Sequence, residues 1–315
     1  MVFIKTYAQQ LPQFSQFLNN YTILNPANAL NDQNQINLGA RSQMIGFGLE
    51  PTTLYCIGNF TLKPKNLNQF NPSIKISKEI PKDTTQYNRF RQGLGGGIIS
   101  DRYGALNSFY IQSFYALGYQ FTKEWLFSFA LKGTYSNISI NPDRISVLNI
   151  NDPYATYSGG DMLFDQVVSS GAKNAMQFGI FGTLKSKELL LGIGIDNISN
   201  VQFSDNNLSH VYTLKPQLTL LASHSFEIEE YFTIKTGVLL KKMNPIPSSV
   251  EASILVLGEK GFYGGLNYRH QSSVGAIAGI RISNKFKLGY SYDFLTTRLH
   301  SFSNGGHEIT LGYVL

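Results

Sequence analysis

The sequence predicts an all-β chain, a single closed antiparallel transmembrane β-barrel of about 14 strands with an N-terminal segment folded into or against its lumen. In many short segments, such as FKLGYSYDF at residues 286–294, apolar residues alternate with polar or small ones. Successive side chains of a strand point to opposite faces, so each such segment has one apolar face. The longest apolar run, at residues 189–195, is far shorter than the roughly 18 residues that a membrane-spanning helix needs. Strands are therefore the elements with which this chain would cross a membrane.

The composition argues against several other classes of protein. Of the 315 residues, 15% are charged and 13% are aromatic, which is untypical of a disordered chain. The net charge of +6 is compatible with nucleic-acid binding, but the lysines are scattered among turns, and we predict no nucleic-acid partner. The single cysteine, Cys56, allows no intramolecular disulfide and is interpreted as a small apolar strand residue.

The first residues resemble the end of an export signal. Thr6, Tyr7 and Ala8 precede Gln9 in the way that small residues precede a cleavage site. We predict that residues 1–8 are the remnant of a cleaved signal peptide and that the protein is exported to the outer membrane. An unstructured N-terminus of a soluble protein is the alternative.

The next segment, residues 9–34, lacks the alternation of a strand and is rich in Asn and Gln. We predict that it folds into or against the lumen, where these side chains would satisfy the polar inner wall. Its prolines are expected to keep it non-helical and out of any central strand. The residues predicted to lie in the lumen are Pro12, Gln13, Phe14, Ser15, Asn25 and Pro26.

Residues 35–315 are predicted to form the barrel. About fourteen alternating segments follow one another, each near the ~10 residues of a tilted spanning strand, and an even number suits a closed antiparallel barrel. They are expected at residues 35–48, 52–62, 91–100, 106–119, 124–135, 172–184, 188–196, 210–224, 231–242, 248–257, 260–270, 273–283, 286–295 and 304–315.

The connections between these segments predict an orientation. With a periplasmic N-terminus, the periplasmic turns at 120–123, 185–187, 258–260 and 283–285 are short, as in outer-membrane barrels. Two connections are long: residues 137–171 on the outer side and residues 63–90 on the periplasmic side. Because long loops on rigid scaffolds often carry binding, both are candidate partner surfaces. Aromatic residues at the periplasmic starts of strands are expected to form an interfacial girdle: Trp125, Tyr231, Phe232, Phe262 and Phe286.

Several charged residues occupy the polar faces of the predicted strands. A basic side chain on the lipid face at mid-depth would cost about 2–4 kcal/mol, so these residues are assigned to the lumen. We interpret them as a network of ion pairs that holds the barrel or a plug in place, with a channel lining or docking surface as the alternative. The residues are Arg41, Lys235, Lys241, Arg269, Arg281, Lys287, Asp293 and Glu308.

No pattern in the sequence predicts catalysis, and we expect a non-enzymatic protein without a metal or cofactor. The five histidines lack the paired spacing of metal ligands, and no GxSxG nucleophile motif is present. The adjacent carboxylates Glu229 and Glu230 fall in a predicted turn, where solvated charge is the usual explanation.

Particular strings go beyond the barrel pattern. QLPQFSQF at residues 10–17 with NPA at 25–27, LGARSQ at 38–43, GFYGGLNYR at 261–269, LGYSYDF at 288–294 and GHEITLGY at 306–313 occur in this order. Together they resemble the PorP/SprF family, outer-membrane components of the type IX secretion and gliding-motility machinery of Bacteroidota.

The resemblance implies a structural and recognition role for the barrel in the outer membrane. The expected partners are outer-membrane lipid and either the C-terminal domain of a cargo adhesin at the cell surface or a periplasmic component of the type IX machinery. Two other functions stay open at this point. A porin-like or small-molecule uptake channel would share the barrel but lack a plug, and a secreted β-sandwich binding domain would bury its apolar faces against each other.

Overall fold

The computed structural model describes residues 12–30, 33–46, 50–62, 89–141, 144, 172–199, 202–205, 208–213, 215–228 and 231–315. The predicted signal remnant and most of both long connections lie outside the described residues. Among the described residues, no helix has the length and apolarity needed to cross a membrane.

Fourteen antiparallel strands close into one barrel, which confirms the predicted fold and rules out the β-sandwich. Each barrel strand pairs with its neighbours in the chain, and β1 closes the barrel against β16 over eight residue pairs. Two further strands, β8 and β9, form a separate hairpin. The strands are β1 (Gln35–Ser42), β2 (Thr52–Leu62), β3 (Phe90–Tyr103), β4 (Leu106–Gln120), β5 (Leu126–Ile140), β6 (Lys173–Lys185), β7 (Leu189–Asp196), β8 (Gln202–Asp205), β9 (Leu208–Thr213), β10 (Gln217–Ile228), β11 (Phe232–Met243), β12 (Ile246–Gly258), β13 (Phe262–Arg269), β14 (Ser273–Arg281), β15 (Phe286–Leu295) and β16 (Gly306–Val314).

The predicted segments correspond to the barrel strands one by one, but β1 ends at Ser42, six residues before the predicted end, and one later strand begins well after its predicted start. The segment expected at 210–224 enters the wall only at Gln217, because residues 208–213 pair with β8 instead. Pro216, which has no backbone N–H to donate to a ladder, directly precedes the wall strand.

Side-chain burial alternates as the sequence predicts. On β5, Phe127, Phe129 and Leu131 point outward and are exposed, whereas Ser128 and Ala130 point inward and are buried. An apolar exterior of this kind matches the hydrocarbon of a membrane. The alternation therefore reports lipid outside and a filled, partly polar lumen inside.

The two ends of the barrel are named here by the chain termini. The terminal end carries the first residue of β1 and the last residue of β16, and the distal end is the opposite one. At the terminal end, the connections at 121–125, 186–188, 229–231, 259–261 and 282–285 are short, whereas the connection at 63–89 is long.

Residues 12–30, hereafter the lumen segment, run through the barrel interior and contain short helical turns. They are a 3₁₀ turn at Phe17–Asn19, one α-helical turn, α1, at Tyr21–Leu24, and a 3₁₀ turn at Pro26–Leu30. The expectation of a wholly non-helical segment was therefore wrong. Pro26 stands at the first position of its turn, where a missing N–H leaves no hydrogen bond unmade.

Candidate functional site: the filled lumen

The lumen segment supplies the centre of all three apolar clusters of buried residues in the described part of the chain. Phe17, Leu18 and Tyr21 pack against leucines of β7, β10, β11 and β12 and against β13 and β14. Phe14 and Ile23 pack against β2, β3 and β4. The third cluster joins Ala27 and Leu30 of the segment to Ala116, Leu126, Ala130 and Phe181 of the wall.

The inner wall is shaped to receive this segment. A Cβ atom on Gly237 would lie 2.5 Å from a methyl carbon of Leu18, so a larger residue there would require Leu18 to shift. Asn25 donates from its side-chain amide to the carbonyls of Gly182 and Ile193, at 3.1 and 3.2 Å. Wall and segment are thus complementary in both shape and hydrogen bonding.

Ion pairs fix the distal part of the segment to β1, β15 and β16. Arg41 and Glu308 face each other in the strand register, and Arg41 also lies 2.7 Å from Asp293. Glu308 accepts a hydrogen bond from the backbone N–H of Ser15 at 2.6 Å, and Asp293 accepts one from the Ser15 hydroxyl. Arg41 donates to the carbonyl of Gln13.

Two of the predicted lumen lysines hold the segment nearer the terminal end. Lys235 donates to the carbonyl of Leu18 at 2.9 Å and lies over the ring of Tyr21. Lys287 donates to the side-chain carbonyl of Asn19 at 2.7 Å. In the structure these two lysines contact the lumen segment.

A second group of charges lies on β11, β12 and β13. Glu251 faces Arg269 in the register and accepts its hydrogen bond at 3.1 Å, and Lys241 is 3.8 Å away on the other side. The side chain of Glu251 is 0% exposed. Arg281, by contrast, is exposed at the terminal end and joins none of the ion pairs of the described residues.

Sequence reasoning did not single out Glu251 or the buried pair Lys132–Asp196. Lys132 on β5 meets Asp196 on β7 across β6, and a Cβ on Gly179 of β6 would lie 2.8 Å from the Asp196 carboxylate. The alternation of side chains along β5 places Lys132 inward. Its pairing with Asp196, however, depends on how the strands of the barrel are aligned with each other. For Glu251, the available signal was the alternation of inward and outward positions along β12. The apolar run at residues 254–257 obscured that alternation.

Aromatic side chains gather at the terminal end. Phe232, Phe262 and Phe286 are the first residues of β11, β13 and β15 and point outward. Trp125 and Tyr231 directly precede β5 and β11. Exposed Phe90 and Phe121 lie at the same end and were not part of the predicted girdle.

A cavity, hereafter the cup, occupies the distal half of the lumen above the lumen segment. Its cavity volume is about 50 Å³. Pro12, Phe14, Ile23 and Leu24 of the lumen segment form its floor. Its wall carries the polar residues Gln112, Lys132, Thr134, Gln177, Asp196, Gln217 and Lys241 together with Ile99 and Tyr110.

Solved barrels share the overall fold. The toluene transporter TbuX of Ralstonia pickettii superposes with a TM-score of 0.51 at 10% identity, covering 93% of this chain and 92% of that one. The monoaromatic hydrocarbon channel CymD gives 0.50 at 11% identity, covering 95% and 91%. At such identity the likeness shows the fold alone.

Comparison with curated proteins gave no match. A family model described as type IX secretion system membrane protein PorP/SprF matches residues 6–313. That match extends over the lumen segment and all fourteen barrel strands. The chain therefore belongs to the PorP/SprF family of type IX secretion system membrane proteins.

Proposed function

We propose that this chain is a non-enzymatic outer-membrane component of the type IX machinery that holds another protein, either the C-terminal domain of a secreted adhesin or a periplasmic machine component. The family match over residues 6–313 carries this proposal. Five of the six connections at the terminal end are short, and the long connections 141–172 and 197–216 lie at the distal end, which supports a periplasmic position for the terminal end, since outer-membrane barrels have short periplasmic turns and longer outer loops. In that orientation the cup opens to the cell exterior.

Capture of partners from the native membrane tests the proposal. A tagged version of the chain, extracted in mild detergent, is expected to retain a secreted protein with a type IX C-terminal domain or a periplasmic type IX component. Deleting the gene is expected to remove at least one adhesin from the cell surface in the first case. Absence of both kinds of partner, together with an unchanged surface proteome, contradicts the proposal.

The alternative, a channel, draws support from the structural neighbours TbuX and CymD, which are a toluene transporter and a monoaromatic hydrocarbon channel. The filled lumen favours the holding role. Phe17, Leu18 and Ala27 of the lumen segment are buried against the wall on several sides, and an open pore needs that space for water.

The two functions differ in ion conductance. We expect the purified chain to insert into planar bilayers without a stable large conductance, because the lumen segment fills the cross-section of the barrel. An open porin reconstituted in the same bilayers serves as the positive control. A stable large single-channel conductance from the unaltered chain would favour the channel function.

A further inference from the structure

The ammonium group of Lys241 is buried at the edge of the cup without a hydrogen-bond partner. Its side chain is 8% exposed, and its nitrogen lies 3.8 Å from the nearer Glu251 oxygen, outside hydrogen-bond distance. Ser249, directly opposite in the register, also has a buried hydroxyl without a partner. Both residues line a small cavity that shares Gln217 and Lys241 with the cup. Buried polar groups are nearly always hydrogen-bonded, so these groups indicate a missing ligand group.

The charges on β11, β12 and β13 show which sign the missing group has. Lys241 and Arg269 are two cations that share the single carboxylate of Glu251. Arg269 is the closer cation, because its guanidinium nitrogen lies 3.1 Å from Glu251 and forms a hydrogen bond. Lys241 is therefore the cation that lacks a hydrogen-bonded carboxylate, and because an ammonium group only donates, the missing group is a negatively charged acceptor.

The charged group on β1, β15 and β16 shows how buried charged side chains are satisfied in this protein. Arg41 faces two carboxylates, those of Asp293 and Glu308. Ser15 of the lumen segment compensates by donating its backbone N–H to one and its hydroxyl to the other. No described residue plays the corresponding role for Lys241. The cup, which Lys241 lines, is the space from which such a group would come.

We propose that the cup binds a carboxylate group and that Lys241 is its ionic partner. The inference deepens the proposed function and rests on it for the orientation of the cup toward the exterior. A singly charged anion is favoured, because Lys241 supplies one cation and the other lysine of the cup, Lys132, is already paired with Asp196. The buried hydroxyl of Thr134, which also lacks a partner, adds a second donor on the cup wall.

Two sources can supply the carboxylate, the C-terminus of an extended polypeptide and a small organic acid. The side chain of Gln112 on the wall offers a donor and an acceptor, as a peptide group requires, whereas the amides of Gln177 and Gln217 already donate to Ser136 and Thr219. The apolar floor of Phe14, Ile23 and Leu24 excludes water from one side of the ligand. These features suit the end of a polypeptide, while acetate would use Lys241 alone.

Peptide binding to the full chain in detergent tests the inference. The probes are tetraglycine carrying an N-terminal fluorophore, with either a free C-terminal carboxylate or a C-terminal amide, read by fluorescence anisotropy. The free acid is expected to bind about tenfold or more tightly than the amide, as for a charge-assisted hydrogen bond. Lys241→Gln is expected to remove this difference, whereas Lys187→Gln, at an exposed ion pair, is expected to retain it.

Competition with unlabelled acetate and phosphate completes the test. Displacement by acetate at equal concentration identifies a small organic acid as the source, and resistance to acetate identifies the polypeptide end. Both results support the carboxylate site. Equal binding of acid and amide to the unaltered chain, or stronger displacement by phosphate than by either carboxylate, overturns it. The comparison of acid with amide and the competition experiments use the unaltered chain, so their results stay valid even if Lys241→Gln fails to fold. Partner capture from cells tests the proposed function separately.

Discussion

Replacing Glu251 with leucine is expected to destabilise the barrel by roughly 3–5 kcal/mol, the usual cost of removing one partner of a buried ion pair. Glu251 is 0% exposed and lies between Arg269 and Lys241. Its loss leaves two cations in the lumen wall without their carboxylate. Guanidinium unfolding in detergent, followed by the fluorescence of Trp125, the chain's one tryptophan, measures the change.

Two further variants identify the cause of this loss. Glu227→Gln breaks an exposed ion pair with Lys187 and is expected to cost less than about 1 kcal/mol. Glu251→Leu combined with Arg269→Met is expected to cost less than the sum of the two single replacements, because it leaves one unpaired cation rather than two. If Glu251→Leu lowers the free energy of unfolding no more than Glu227→Gln does, the buried ion pairs of Glu251 have no role in stability.

The strands could be predicted because the environment imposes their pattern. Lipid on one side and an enclosed lumen on the other select alternate residues, and most wall strands follow this alternation. Phe127, Phe129 and Leu131 on β5 illustrate it. The start of β10 was misplaced because residues 208–213 have strand character and pair with β8 outside the wall.

The lumen contents could be predicted only in part. Arg41 and Glu308 could each be assigned to the lumen from the alternation along their own strands. Which charged residues form pairs, however, depends on how strands distant in the chain are aligned when the barrel closes. The pairing of Lys132 with Asp196, two strands apart, is of this kind. Glu251 was missed because residues 254–257 of β12 are apolar on both faces.

That failure of alternation has a physical cause. Leu239, Leu255 and Ile277 point inward, where an open pore would have polar residues in contact with water. They are buried because Phe17 and Leu18 of the lumen segment cover them. Apolar residues on the inner face of a barrel strand are therefore a sequence signal of a filled lumen. On this view the lumen segment is the apolar core of the protein rather than a detachable plug.

Replacing Phe17 with alanine tests that view, and we expect a loss of roughly 3–5 kcal/mol, as for a phenylalanine in the core of a soluble protein. Phe17 is 0% exposed, so its removal leaves a cavity that neither detergent nor lipid reaches. Phe178→Ala is the matched control, since Phe178 is 56% exposed on the outer face of β6. Detergent can fill the space that the Phe178 ring leaves. The loss of stability then contains only the transfer free energy of the removed atoms and no cost for a cavity.

The measurement is the fraction of barrel that keeps its fast, unboiled migration on gels as the temperature rises, together with guanidinium unfolding. Phe17→Ala is expected to lower the transition well below that of Phe178→Ala. If the lumen segment were instead a plug resting in an independently stable barrel, Phe17→Ala would leave the wall intact and raise ion conductance in bilayers. Lost stability and raised conductance are thus opposite outcomes of a single substitution, and they separate a core from a plug.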